Sequence, residues 1–186
     1  MNEATNFHGL FCEINLPLEW IPVAESTAIS PSLDRANQNC LRIILGLDDV
    51  VHETADDAVD LSHDLQRLDF KVNILLELVA QLVTQNVHLP PSTELKLGPG
   101  VLQWLSVDAP TTGQTVQVKL YPDQRFPSPL VLSGTVVDVS AVGNRHQVRL
   151  EFDQQPELTQ ELLEKYIFRC HRRHIARMKS QSGKEN

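Results

Sequence analysis

The chain has 186 residues, 41% of them hydrophobic, and a formal net charge of -8, which allows one ordinary domain with an accessory element and excludes two large cores. The negative balance excludes a general binder of nucleic acid or of anionic membrane surface, because those partners need clustered positive charge. Cys12, Cys40 and Cys170 are few, odd in number and far apart, as expected of structural thiols in a reducing compartment rather than of a disulfide framework.

The charge is unevenly spread. Residues 1 to 70 carry thirteen Asp and Glu against Arg35, Arg42 and Arg67, whereas Lys165 to Lys179 holds six basic residues and no acid. The first ten residues have no basic segment leading into an apolar run, and no stretch approaches eighteen consecutive apolar residues. The expectation is a cytoplasmic protein that neither spans a membrane nor is secreted.

Residues 7 to 23 mix apolar side chains with Pro17 and Pro22, so residues 1–30 are expected to be an N-terminal segment with at most a short edge strand. From Ser30-Pro31-Ser32 the pattern becomes helical. Ser30 can cap, Pro31 suits the first turn, and Leu33, Ala36, Cys40, Ile44 and Leu47 recur on one face, which predicts a helix from about 32 to 47. Gly46 and the acidic run from Asp48 to Asp60 are expected to separate it from the next element.

The most regular pattern follows. Leu61, Leu65, Leu68, Val72, Leu75, Val79 and Leu82 are spaced 4, 3, 4, 3, 4, 3, a heptad seam in a rod of about 30 Å with no Gly or Pro. With Leu61 at a d position, Leu65, Val72 and Val79 fall at a. The flanking e and g positions are polar at Ser62, Asp64 and Asp69 but apolar at Leu76, Leu78 and Val83. A helix apolar on that many sides must be covered from more than one direction. Residues 31–86 are therefore read as a helical oligomerisation region, with a long core helix inside one monomer as the alternative.

After Asn86 the period changes to two. Glu94–Leu97, Val101–Leu105, Thr115–Tyr121, Leu130–Ser140 and Gln147–Phe152 read as short strands, separated by turn chemistry at Gly98-Pro99-Gly100, Pro110–Gly113, Pro122–Pro129 and Gly143-Asn144. A final helix from about Glu157 to Lys179 places Leu163, Ile167, Cys170, His174 and Met178 on one face. Its acids lie near the start and its bases near the end, as the helix dipole favours. Residues 180–186 read as a polar tail. The fold class is α+β: a small antiparallel β-barrel, with a long coiled-coil helix before it and a C-terminal helix after it, the barrel and last helix occupying 87–179.

The run TGQTVQVKLYPD, then PLVLSGTVVDV, then VRLEF, then the helix ELLEKYIFRCHRR resembles the second half of a PilZ domain. The long heptad helix resembles the tetrameric branch of that family, whose helices form a four-stranded coiled coil. The resemblance implies a bacterial protein of cyclic di-GMP signalling, motility or pilus biogenesis, assembled as a homo-oligomer, a tetramer on this reading. PilZ domains bind cyclic di-GMP through an Arg-x-x-x-Arg pair and an Asp-x-Ser-x-x-Gly motif. Both strings occur here, as Asp138, Ser140 and Gly143, and as Arg169 with Arg173 or Arg173 with Arg177. Position argues against them. Aligned by strand order, the ligand loop falls at Leu95 to Gly100, where Leu95 and Leu97 replace the Asp and Ser and only Gly100 is kept. The segment Gln85–Thr93 ahead of it contains no Arg. A chance match to an Asp/Asn-x-Ser-x-x-Gly pattern in a chain of this length has a probability of about one in ten.

Cys170, His171, His174 and His146 could be imagined around zinc, but no second ligand pair of the usual spacing accompanies them. There is no phosphate-cradling glycine loop, no strained serine elbow and no well-placed carboxylate pair, so no enzymatic activity, metal or catalytic residue is expected. The leading reading is a non-catalytic PilZ-like adaptor that oligomerises through Leu61–Leu82, binds an unidentified protein partner and does not hold cyclic di-GMP at the usual site. One alternative is a cyclic di-GMP sensor in which Arg169 and Arg173 fold over the hairpin of Asp138, Ser140 and Gly143. The other is a generic coiled-coil scaffold.

Overall fold

The computed structural model describes residues 10–24, 29–52, 88–123 and 128–182, with residues 68, 71, 72 and 74 between them. Six strands and two helices follow one another along the described chain: β1 (Cys12–Pro22), α1 (Pro31–His52), β2 (Ser92–Gly98), β3 (Val101–Ser106), β4 (Thr115–Leu120), β5 (Leu130–Val142), β6 (Arg145–Phe152) and α2 (Glu157–Ser182). All strand pairs are antiparallel and close a barrel in the order β1-β2-β3-β6-β5-β4. The α+β barrel expected from the sequence is the fold observed.

Period-two alternation sends Val116, Val118 and Leu120 of β4 and Val148 and Leu150 of β6 into the barrel, all fully buried. Leu95 and Leu97 of β2, Leu102 and Trp104 of β3, and Leu130, Leu132 and Val136 of β5 complete that core. Gly134 sits where β5 runs against β6, and a Cβ there would meet the Glu151 backbone carbonyl. Gly143 takes a φ of 60° in the β5–β6 hairpin, a left-handed conformation that glycine adopts without a steric penalty.

The N-terminal strand departs from expectation. β1 is not an edge piece: residues Cys12–Pro17 pair with β2 and Leu18–Pro22 pair with β4, so this strand closes the barrel. Pro17 is tolerated because it stands at the change of partner. Its carbonyl accepts from the Tyr121 amide at 3.1 Å, and the amide it lacks is not required there.

In α1, the Ser30 hydroxyl accepts from the Leu33 amide at 3.2 Å and the Ser30 carbonyl from the Asp34 amide at 2.9 Å, the expected cap. Two expectations fail here. The helix runs through Gly46 to His52 instead of ending near 47, since a single glycine costs a helix only about 1 kcal/mol and removes no hydrogen bond. The buried face is centred on Asn37, Cys40, Leu41, Ile44 and Leu45, while Ala36 is exposed. The reason is Asn37, a fully buried polar residue that clamps β5: its Nδ2 donates to the Val131 carbonyl at 2.8 Å and its Oδ1 accepts from the Val131 amide at 2.9 Å.

α2 lies on α1, β1 and β2, burying Thr159, Leu163, Tyr166, Ile167 and Cys170. Met178, expected on that face, is 58% exposed, because the helix extends past the surfaces that cover its first half. It continues through residues 180–182, which were expected to belong to the tail. Thr159 Oγ1 donates to Asp34 Oδ1 at 2.5 Å, joining the first turns of the two helices. No helix among the described residues is long and apolar enough to cross a membrane.

Of the heptad seam, Leu68 and Val72 are described: both are helical, and they are 59% and 43% exposed. Leu61, Leu65, Leu75, Val79 and Leu82 lie outside the described residues.

Candidate functional site

Four places bear on function: the β2–β3 turn, the β5–β6 hairpin, the arginines of α2 and the thiols at the start of β1. At the β2–β3 turn, Leu95 and Leu97 point into the barrel and are 3% and 0% exposed. Neither can offer a hydrogen bond to a ligand, and both are held by the apolar core. The turn that follows is already occupied by the protein itself. The Pro99 carbonyl accepts from Gln160 Nε2 of α2 at 3.3 Å, and the Gly100 carbonyl accepts from the Phe152 amide at 2.9 Å. Beside it opens a cavity of about 560 Å³ whose described lining includes Asp153, Glu157, Glu161 and Glu164 and no basic side chain. The acids are there for a structural reason, since they lead into and cover the first turns of α2, where the dipole favours negative charge. The electrostatic result is a site that repels phosphate.

On the hairpin, Asp138 pairs in register with Arg149 and Ser140 with Gln147, and a bulge at Val137 shifts the register between Val136 and Asp138. Val137 is therefore 37% exposed rather than inward-facing as its alternation with Asp138 suggests, and Val136 takes the core position. Asp138, Ser140 and Gly143 are all exposed.

The arginines of α2 are engaged elsewhere. Arg169 Nη1 donates to the Leu45 carbonyl of α1 at 2.7 Å, so it ties the two helices together instead of lying on a wholly solvated face. Arg172 lies over the Phe168 ring, 5.9 Å from its centroid. Arg173 Nη2 donates to Cys170 Sγ at 3.2 Å. Since α2 packs on α1, β1 and β2 and not on β5 or β6, the structure does not bring Arg169 and Arg173 together with Asp138, Ser140 and Gly143.

What it does bring together was not singled out from the sequence: Cys12 of β1 and Cys170 of α2, with Tyr166 and Arg173. Cys12 and Cys170 are both buried in the same core cluster, and Arg173 Nη2 reaches Cys170 Sγ at 3.2 Å. The Cys12 thiol holds the Cys170 thiol below its ordinary range, helped by the Arg173 charge and the Tyr166 hydroxyl, against the opposing effect of burial. The same interaction, with burial, pushes Cys12 up, and burial pushes Tyr166 up. The two thiols are thus shifted in opposite directions, Cys170 toward its anion and Cys12 away from it. Next to it, His171 Nδ1 lies 2.8 Å from the Phe11 carbonyl, and the two rings meet edge to face at 6.4 Å. Cys40 differs: its Sγ donates to the Ser128 carbonyl at 3.3 Å, and burial pushes its thiol up to about 12.

The model of the atypical PilZ domain, described as a cyclic di-GMP receptor, matches residues 41–180. The chain belongs to the atypical PilZ family. A solved structure to which this PilZ protein is similar is that of a pathogenic protein from Xanthomonas campestris, a tetrameric PilZ domain self-assembled via a helical bundle. It is 25% identical, the match covers 92% of this chain and 93% of that one, and the TM-score is 0.76. No match is found among the curated proteins. The matched family is one of receptors and indicates no catalytic activity.

Proposed function

We infer that this PilZ protein is a non-catalytic adaptor in cyclic di-GMP signalling, with motility or pilus biogenesis as its setting. It oligomerises through Leu61–Leu82, as a tetramer, and displays its barrels to a protein partner without holding the dinucleotide at the family's usual position. The observation that carries this reading is the β2–β3 turn. There Leu95 and Leu97 are core residues, α2 occupies the turn carbonyl, and the adjoining cavity presents Asp153, Glu157, Glu161 and Glu164 where a ligand would bring two phosphates.

The family's description as a cyclic di-GMP receptor favours the second reading, a sensor built from Asp138, Ser140, Gly143, Arg169 and Arg173. It requires α2 to leave the helix and strands on which it packs and reach the β5–β6 hairpin. Calorimetric titration of the full chain with cyclic di-GMP separates the two. The adaptor reading expects no heat of binding up to about 100 μM ligand, a free energy weaker than roughly -5.5 kcal/mol. Micromolar binding abolished by Asp138→Ala or Arg173→Ala overturns it in favour of the sensor.

A further inference from the structure

We propose that Cys12 and Cys170 form a redox site, closed to an intramolecular disulfide by a hydroperoxide and reopened by a dithiol reductant. The inference does not depend on whether the dinucleotide binds.

Its basis is geometric. Cys12 is the first residue of β1, Cys170 lies midway along α2, and both are buried in one core cluster where the helix packs on the strand. The alignment is reinforced one residue away, where Phe11 and His171 are joined by a hydrogen bond and by their rings. Two successive contacts therefore hold strand and helix in register at the thiols. Arg173 Nη2 donates to Cys170 Sγ at 3.2 Å, and Tyr166, one helical turn before it, is buried in the same cluster. Buried structural cysteines are ordinarily inert thiols. Cys170 differs in carrying a cation at its sulfur, and Arg173 is itself exposed, so a small oxidant approaching along its side chain reaches the sulfur. Cys40, capped by a carbonyl and with no cation on it, is the internal control.

In the first step the Cys170 thiolate attacks the peroxide: an S–O bond forms, the O–O bond breaks, and the departing alkoxide or hydroxide takes a proton to leave as alcohol or water. In the second step Cys12 sulfur attacks the sulfenic acid. The S–S bond forms, the S–O bond breaks, and the Cys12 proton leaves with the hydroxide as a second water. Two thiols lose two electrons and one peroxide gains them. The product covalently ties the first strand to α2 and removes the negative charge facing Arg173, so the basic stripe of α2 becomes more positive. A transient bond of this kind is the form in which disulfides occur in reducing compartments.

The test treats the reduced full chain with hydrogen peroxide and follows free thiols, intact mass and non-reduced peptide maps. The expected result is a fall from three free thiols to one, a mass lower by about 2 Da per chain, a peptide pair joining Cys12 to Cys170, and reversal by dithiothreitol. Unchanged thiols under excess peroxide, or a cross-link that uses Cys40 or joins two chains, overturns it. Because the wild-type map decides the question, it survives any folding defect in Cys12→Ser or Cys170→Ser. Of these variants, the first should accumulate dimedone-reactive Cys170 and the second should leave Cys12 unmodified. Arg173→Gln should slow thiol loss by about tenfold, and Arg173→Lys should retain most of the rate; equal rates in all three proteins reject the role given to the guanidinium.

Discussion

At the scale of the residue, Cys170 and Gly134 show how neighbours decide what a side chain does. A cysteine surrounded only by apolar atoms would have its thiol pushed up, as Cys40 does; Cys170 goes the other way because the Cys12 thiol, Arg173 and Tyr166 all favour its anion. Under reducing conditions the thiolate absorbance near 240 nm should therefore appear in two parts, one more than a pH unit below the ordinary thiol value of about 8.5 and the remainder far above it. The low part should be missing in Cys170→Ser. The stability consequence has a definite sign. A depressed folded value contributes stability that is complete above the unfolded thiol value and is lost as the pH falls through the folded one. The reduced wild type should thus lose its advantage over Cys170→Ser on going from pH 9 toward 6. Gly134 is a simpler case. A methyl group there would collide with Glu151 backbone rather than with a movable side chain, so Gly134→Ala should lower the unfolding free energy by about 2–3 kcal/mol in urea titrations, with little change in m-value if the denatured state is unaffected.

At the scale of the element, α1 is held by one clamp that sequence patterning conceals. Asn37 gives both of its amide hydrogen bonds to Val131 from a fully buried position. Asn37→Ala would leave a buried amide and carbonyl of β5 with no such partner, a loss of about 2–4 kcal/mol. Asn37→Leu should be no better, since it replaces only one side of the pair; equilibrium denaturation of both variants checks this. The same residue explains what the sequence conceals. Apolar periodicity placed the α1 face on Ala36 because Asn37 counts as polar, whereas its polarity is what the face requires. Strands β2 to β6 were legible, since alternation and turn residues agree at each of them. β1 was not, because its partners lie far along the chain and Pro17 argues locally against any ladder. Leu95 and Leu97 could be read as departures from the ligand motif, but the four carboxylates beside the turn become one feature only when α2 is laid against β2. The Cys12–Cys170 pair was hidden for the same reason. Its sole local signals are a cysteine opening the alternating series Cys12, Ile14, Leu16 and another on the buried face of the last helix.

At the scale of the whole molecule, the proposed assembly turns on the residues between α1 and the barrel. Leu68, Val72 and Ile74 are 59%, 43% and 41% exposed in the single chain. Leu68 and Val72 belong to a seam that repeats over seven positions, whereas Ile74 lies off it at a c position, so apolar surface is present on more than one side. Helical residues left in water with that surface gain little from propensity alone; packing against other elements is what stabilises them. The proposed assembly is a tetramer. Light scattering should accordingly give a mass four times that of the 20.9 kDa chain at tens of micromolar, and a monomer at that concentration would sink the assembly reading. Leu68→Asp combined with Leu75→Asp places a charge at two successive d positions of every copy, eight in a tetramer, where each must be desolvated without a partner. The double variant should sediment as a monomer and lose helical ellipticity. Its barrel should remain folded, because the six strands close on themselves and bury their own alternating side chains. A double variant still tetrameric at 1 μM would mean that the seam is not the interface and that the assembly is held by other surfaces.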